Sequence, residues 1–120
     1  MNFLDDPLIG TLTRSLDLTS LRQKLVTENV ANIDTPGYYA RDIDFRQELE
    51  RALVLGGGQT PTPMVHEVAG GIERPDGNNV SLDRESLLMA QNQLQFQVDV
   101  QLLRSEFNRL QLAINGGNNP

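Results

Sequence analysis

The chain has 120 residues, a net charge of −6, no cysteine and no tryptophan. One domain is the most that length allows, and 38% hydrophobic with 5% aromatic residues argues against a deep independent core. Disulfides and thiolate metal sites are excluded. One lysine and nine dispersed arginines form no basic block for nucleic acid or an anionic membrane.

Met1 to Pro7 has neither a positive n-region nor an apolar h-region, so no cleaved secretory signal is expected. No run approaches the ~20 apolar residues of a membrane span. The expectation is a cytosolic chain, or one that leaves the cytosol without a cleaved signal.

Asp6-Pro7 marks a helix start, because Asp6 can accept from free N–H groups and Pro7 suits the first helical position. Leu8, Leu12 and Leu16 share one face. Leu18, Leu21 and Leu25 share another, followed by Val26, Val30 and Ile33. Gly10 weakens the first turns, so the firm helix is expected from Leu12 to Asn32. Thr35-Pro36-Gly37-Tyr38 then stops it. Pro36 fixes φ for turn position i+1, and Gly37 supplies the positive φ of a type II turn. Asp34 or Thr35 can bond back to the freed backbone.

A short helix is expected after Asp44, which has capping-box spacing to Gln47, with Phe45, Leu49 and Ala52 or Leu53 on one face. Gly56-Gly57-Gly58 ends it. Gln59 to Pro63 reads as loop. Val65 to Val68 and Ile72 to Arg74 suggest a small hairpin over Gly70-Gly71. Pro75-Asp76-Gly77-Asn78-Asn79 is a strong turn signal. The last helix starts near Ser81 to Asp83, with Asp83 and Glu85 at its positive end, and stops before Gly116-Gly117. Phe96, Val100, Leu103, Phe107, Leu110 and Ile114 step along it at coiled-coil spacing. An isolated rod cannot bury that stripe; it needs the first helix, a neighbouring subunit, or both.

No catalytic set stands out. His66 is the only histidine and reads as a surface residue. Asp42 and Asp44 read as capping residues rather than a catalytic pair. The segment from Asp76 lacks the glycine and glutamate of a calcium loop, with Ser81 and Leu87 in those places. The glycine run lacks the Lys and Ser/Thr of a P-loop. The expectation is therefore a non-enzyme with no cofactor and no metal. Leu18, Leu21, Leu25, Asn29 and Asn32, with the apolar stripe, are the candidate assembly residues. Thr35, Pro36, Gly37 and Tyr38 form the structural turn. Polar Asn29 and Asn32 beside an apolar face can set register or cap the turn.

Two motifs carry a family resemblance. Asn29-Val30-Ala31-Asn32-Ile33-Asp34-Thr35-Pro36-Gly37-Tyr38 is one; Asp76-Gly77-Asn78-Asn79-Val80 followed by Leu82-Asp83-Arg84-Glu85 is the other, extended by Asn92 to Gln97. With Tyr39 to Phe45, they resemble the flagellar axial proteins of rod and hook, most closely the proximal rod members, over about two thirds of the chain. Phe96 stands where that family commonly has tyrosine, which keeps ring packing and removes a hydroxyl bond. The resemblance implies a mainly α, elongated protein. An antiparallel, coiled-coil-like N- and C-terminal helix pair would flank a short irregular or small β middle. Residues 1–34 would be the N-terminal axial helix, 35–80 the turn, short helix and variable middle, 81–115 the C-terminal axial helix and 116–120 a disordered tail.

The resemblance further implies a structural subunit of the basal-body rod, which transmits torque across the periplasm. Implied partners are copies of itself, rod proteins of FlgC, FlgF and FlgG type, the junction protein FliE, the membrane ring and the flagellar type III export apparatus, with no nucleic acid and no membrane insertion. Export would need no cleaved signal; Phe45 and Leu49 match a short Phe-x-x-x-apolar export signal. Alternatives are a rod subunit of FlgC type and a cytosolic helical adaptor or secretion chaperone.

Overall fold

The computed structural model describes residues 6–55 and 60–116. In chain order the elements are α1 (Pro7–Ala31), β1 (Arg41–Ile43), α2 (Phe45–Leu55), β2 (Val65–Glu67) and α3 (Leu82–Gly116). The fold is mainly α and elongated, 73 × 26 × 18 Å.

Asp6 caps α1 as its chemistry requires: Oδ1 accepts the N–H of Leu8 at 2.8 Å and of Ile9 at 3.3 Å. The helix starts at Pro7, as Asp6-Pro7 signals, and it is continuous through the first turns, where the firm helix was expected only from Leu12. Gly10 stays inside it, donating to the Asp6 carbonyl at 3.1 Å. One helical glycine costs about 1 kcal/mol. The cap and the burial of Ile9 and Leu12 outweigh that. α3 is 35 residues long, roughly 52 Å at ~1.5 Å per residue. Ser81 Oγ accepts the Arg84 N–H at 3.3 Å at its entrance. The helix runs through Gly116, one residue past the expected end, and the expected tail from 117 onward lies outside the described residues.

α1 and α3 are antiparallel. Ser15 meets Asp99, Gln23 meets Asn92 and Asn29 meets Glu85, so numbers rise along one helix as they fall along the other. α2 begins where expected, with Asp44 Oδ1 accepting the Gln47 N–H at 3.1 Å. Its expected glycine end, Gly56 to Gly58, lies outside the described residues. Phe45 and Leu49 lean on a small core of Leu18, Leu25 and Ile43, with Leu21 beside them.

The expected hairpin over Gly70-Gly71 does not form. Val65–Glu67 pairs instead with β1, antiparallel, with Arg41 opposite Glu67, Asp42 opposite His66 and Ile43 opposite Val65. Ile72 is left 92% exposed. A lone two-strand hairpin buries too little to persist in water, whereas β1 is anchored by Ile43 in the core. A loop closure of some twenty residues adds little entropy beyond a short one.

Candidate functional site

The two motifs singled out in the sequence meet in space. Asn32 ends α1, its Nδ2 donating to the Glu28 carbonyl at 2.8 Å and its Oδ1 accepting Thr35 Oγ1 at 3.0 Å. Thr35-Pro36-Gly37-Tyr38 then turns as expected, with Gly37 at φ +75° and the Tyr38 N–H on the Thr35 carbonyl at 3.2 Å. The second turn seats against the first. Gly37 donates to the Asp76 carbonyl at 2.9 Å. Fully buried Asn78 donates Nδ2 to the carbonyls of Asn32 at 2.9 Å and Thr35 at 2.8 Å. Asn79 Oδ1 accepts the Ala40 N–H at 2.7 Å, and its Nδ2 reaches the Val68 carbonyl at 2.9 Å. Gly77 adopts φ +86°, and a Cβ on it would stand 3.3 Å from Gly37 Cα. The approach of the two turns therefore needs glycine.

Asn29 is the hub beneath this interlock, 1% exposed. Its Nδ2 donates to the Arg41 carbonyl at 2.9 Å and to Glu85 Oε1 at 3.1 Å. Its Oδ1 accepts the Arg41 N–H at 3.0 Å and the Tyr38 hydroxyl at 3.2 Å. Only a side-chain amide supplies donors and an acceptor in this arrangement. One residue thus joins α1, the turn, β1 and the first turn of α3. Asn32, by contrast, caps locally.

A charged cluster adjoins Asn29. Asp42 was expected to cap, and that is corrected: it accepts Arg22 Nε and Nη2, each at 3.0 Å, Arg84 Nη2 at 2.5 Å and the Ile43 N–H at 2.7 Å. Burial pushes its carboxyl up, but Arg22, the Ile43 N–H and Arg84 prevail and hold it below its ordinary value. Its neighbour Asp44 does cap. Glu85 is fully buried, with Oε2 unpartnered among the described residues. Burial raises its carboxyl despite Asn29 and Arg84 at Oε1. These carboxylates are engaged by arginines and an amide, an arrangement that fixes elements rather than moving protons onto a substrate. Exposed His66 lies on β2, and among the described residues no group of three or more His, Cys, Asp or Glu could hold a metal.

Sequence reasoning missed two features. Arg74, in a stretch with no motif, sends Nη1 to the Val80 carbonyl at 2.9 Å and Nη2 to the Ile33 carbonyl. The second is the seam between α1 and α3. Glu85, Asn92, Asp99 and Glu106 are all buried and seven residues apart. Asp99 takes Ser15 Oγ at 2.5 Å and Gln95 Nε2 at 2.9 Å. Arg109 at the far end lies 3.6 Å from Asp6. The heptad spacing was the available signal, but a polar row is not what a search for apolar periodicity finds.

The predicted assembly residues divide accordingly. Leu18 and Leu25 are in the chain's own core, with Leu21 half-buried against them. On the stripe, Leu110 is buried and Val100 and Leu103 half-buried, while Phe96 (54%), Phe107 (46%) and Ile114 (42%) are exposed. The stripe overlaps the polar seam: Leu103 and Leu110 follow Asp99 and Glu106 by four and share their side of the helix, whereas Val100 and Phe107 stand one residue around. Its start borders a groove of about 430 Å³, lined among others by Leu16, Ser20, Gln23, Met89, Gln93 and Phe96.

No family model matches the chain. Curated relatives do. It is 35% identical to the flagellar basal body rod protein FlgB of Salmonella typhimurium, over 87% of this chain and 90% of that one. Against FlgB of Bacillus subtilis it is 31% identical, over 91% and 94%, and against that of Cereibacter sphaeroides 36%, over 90% and 94%.

Proposed function

The chain belongs to the FlgB family of flagellar basal body rod proteins, and we propose that it builds the proximal rod, the shaft that transmits torque for motility. Its role is structural, not enzymatic. The observation that supports this most is α3: a coiled-coil-spaced apolar stripe, of which Phe96, Phe107 and Ile114 remain exposed after α1 has packed. Large apolar faces of this kind mark protein contacts. Helical assembly repeats heterologous contacts without closing, and long helices spread shear over many of them.

In this reading the exposed part of the stripe, Phe96, Phe107 and Ile114, with half-buried Leu16 of α1 meets neighbouring rod subunits, while Leu18, Leu25 and Leu110 pack inside the subunit and the Pro36-Gly37 turn fixes how the middle segment leaves the helix pair. The neighbours are copies of the chain, rod proteins of FlgC, FlgF and FlgG type, FliE and the membrane ring. The subunit reaches the periplasmic rod through the flagellar type III export apparatus without a cleaved signal. Phe45 and Leu49 serve as its export signal in the unfolded chain, since folding seats both on the core. No helix is long and apolar enough to cross a membrane among the described residues.

The test is deletion of the gene in its motile host, with electron microscopy of basal bodies and complementation in trans. The expected result is loss of rods and filaments with the membrane ring retained. Normal rods and swimming after deletion would overturn the proposal and leave a cytosolic adaptor as the reading.

A further inference from the structure

We propose that Arg74 is a mechanical tie between the two terminal helices, bonding the chain just past α1 and just before α3 with one guanidinium. The inference rests on reading the chain as a torque-carrying subunit.

α1 ends with no basic residue in its last turn. Its C-terminal end is the negative end of the helix dipole, and the carbonyls of Glu28, Asn29 and Val30 are met locally by the N–H groups of Asn32 and Ile33. Arg74, forty-one residues beyond Ile33, brings a cation to this end, with Nη2 on the carbonyl of Ile33, the residue after the cap Asn32. Nη1 of the same group donates at 2.9 Å to the carbonyl of Val80, two residues before α3 begins.

The guanidinium is held from behind. The Arg74 N–H donates to the Asn78 carbonyl at 2.9 Å, and the Arg74 carbonyl accepts the Gly77 N–H at 2.8 Å. The side chain therefore grows from a closed turn, not from a free loop. A planar fork bridges two carbonyls at fixed separation, which a lysine ammonium on its flexible stem does not. Force passing between the helices at this end also travels through the amides of Asn78 and Asn29 and through the Arg22–Asp42–Arg84 bridge, which joins the helix shafts by way of β1. Arg74 adds a charge-assisted route between the segments that leave α1 and enter α3, and such bonds are roughly twice as strong as neutral ones.

The test uses Arg74→Gln and Arg74→Lys in the full chain. Hydrogen exchange on the purified protein should show amides at the α1 end and the first turn of α3 exchanging about 10- to 100-fold faster in Arg74→Gln. Arg74→Lys should fall between the variant and wild type. In a host lacking its own gene, Arg74→Gln should still form rods and swim in dilute buffer but lose swimming in viscous medium. Unchanged exchange, or swimming equal to wild type at every viscosity, overturns the proposal. So does Arg74→Gln that is exported with wild-type helicity yet forms no rods, because Arg74 then acts in assembly. If Arg74→Gln fails to fold, Arg74→Lys decides: wild-type exchange and viscous swimming overturn the tie, and a partial loss of both supports it. Failure of the wild-type gene to complement sinks the rod reading instead, and exchange still reads the tie.

Discussion

At the scale of single residues, the junction of the two turns with α1 is held by the amides of Asn29, Asn78 and Asn79 and by the close approach of Gly37 and Gly77. Asn29 is satisfied on both sides of its amide, so exchanging its donor for an acceptor is more damaging than its size suggests. Asn29→Asp loses the bonds to the Arg41 carbonyl and Glu85 and sets a carboxylate where Glu85 Oε1 lies 3.1 Å away. A loss of about 2–4 kcal/mol is expected from urea unfolding. Glu85 makes a pH prediction. Burial raises its carboxyl above the ordinary 4.5, so the folded chain holds a proton that the unfolded chain releases. Its stabilising effect is full below pH 4.5 and is lost as pH rises through the folded value. Asp42, depressed below 3.8, acts oppositely: its contribution is present above 3.8 and is lost as pH falls through the folded value. Glu85→Gln removes the first dependence. Its stability should gain on wild type between pH 4.5 and pH 8, and an equal difference at both pH values would refute the buried-acid account.

At the scale of elements, α3 carries two rows with different tasks. The polar row at Glu85, Asn92, Asp99 and Glu106 faces α1. The apolar row from Phe96 to Ile114 borders it, with Leu110 buried beside the seam and Phe96, Phe107 and Ile114 exposed. The apolar row was legible because its side chains stand out at 3-4 spacing. The seam was not, because buried Asn and Asp look like surface residues until a partner helix supplies Ser15 and Gln23. The two rows should separate by mutation. Phe96→Asp should leave the unfolding free energy within about 0.5–1 kcal/mol of wild type while abolishing swimming. Leu103→Asp, half-buried, should abolish swimming and also lower stability. Leu18→Ala, at a fully buried core position, should cost about 2–5 kcal/mol. A Phe96→Asp strain that swims normally would remove the stripe from the assembly surface.

At the scale of the whole molecule, low aromatic content and a long thin shape agree: the folded chain keeps a small core cluster of Leu18, Leu25 and Ile43 and leaves much apolar surface of α3 exposed. That surface is why a deletion phenotype in the basal body is the informative test, rather than any assay of the free chain.

The sequence by itself determined the helix starts, both turns and the family. Each rests on local chemistry: Asp6 and Pro7 at a helix start, Gly37 and Gly77 at positive φ, and two short motifs that any chain position can display. It did not determine the partner of Val65–Glu67, the place of Asp42, the seam, or Arg74. Strand partners, buried charge clusters and polar seams are defined by what lies opposite, tens of residues away in the chain. Only the tertiary structure decided them, because the free energy that selects each pairing comes from groups that become neighbours on folding.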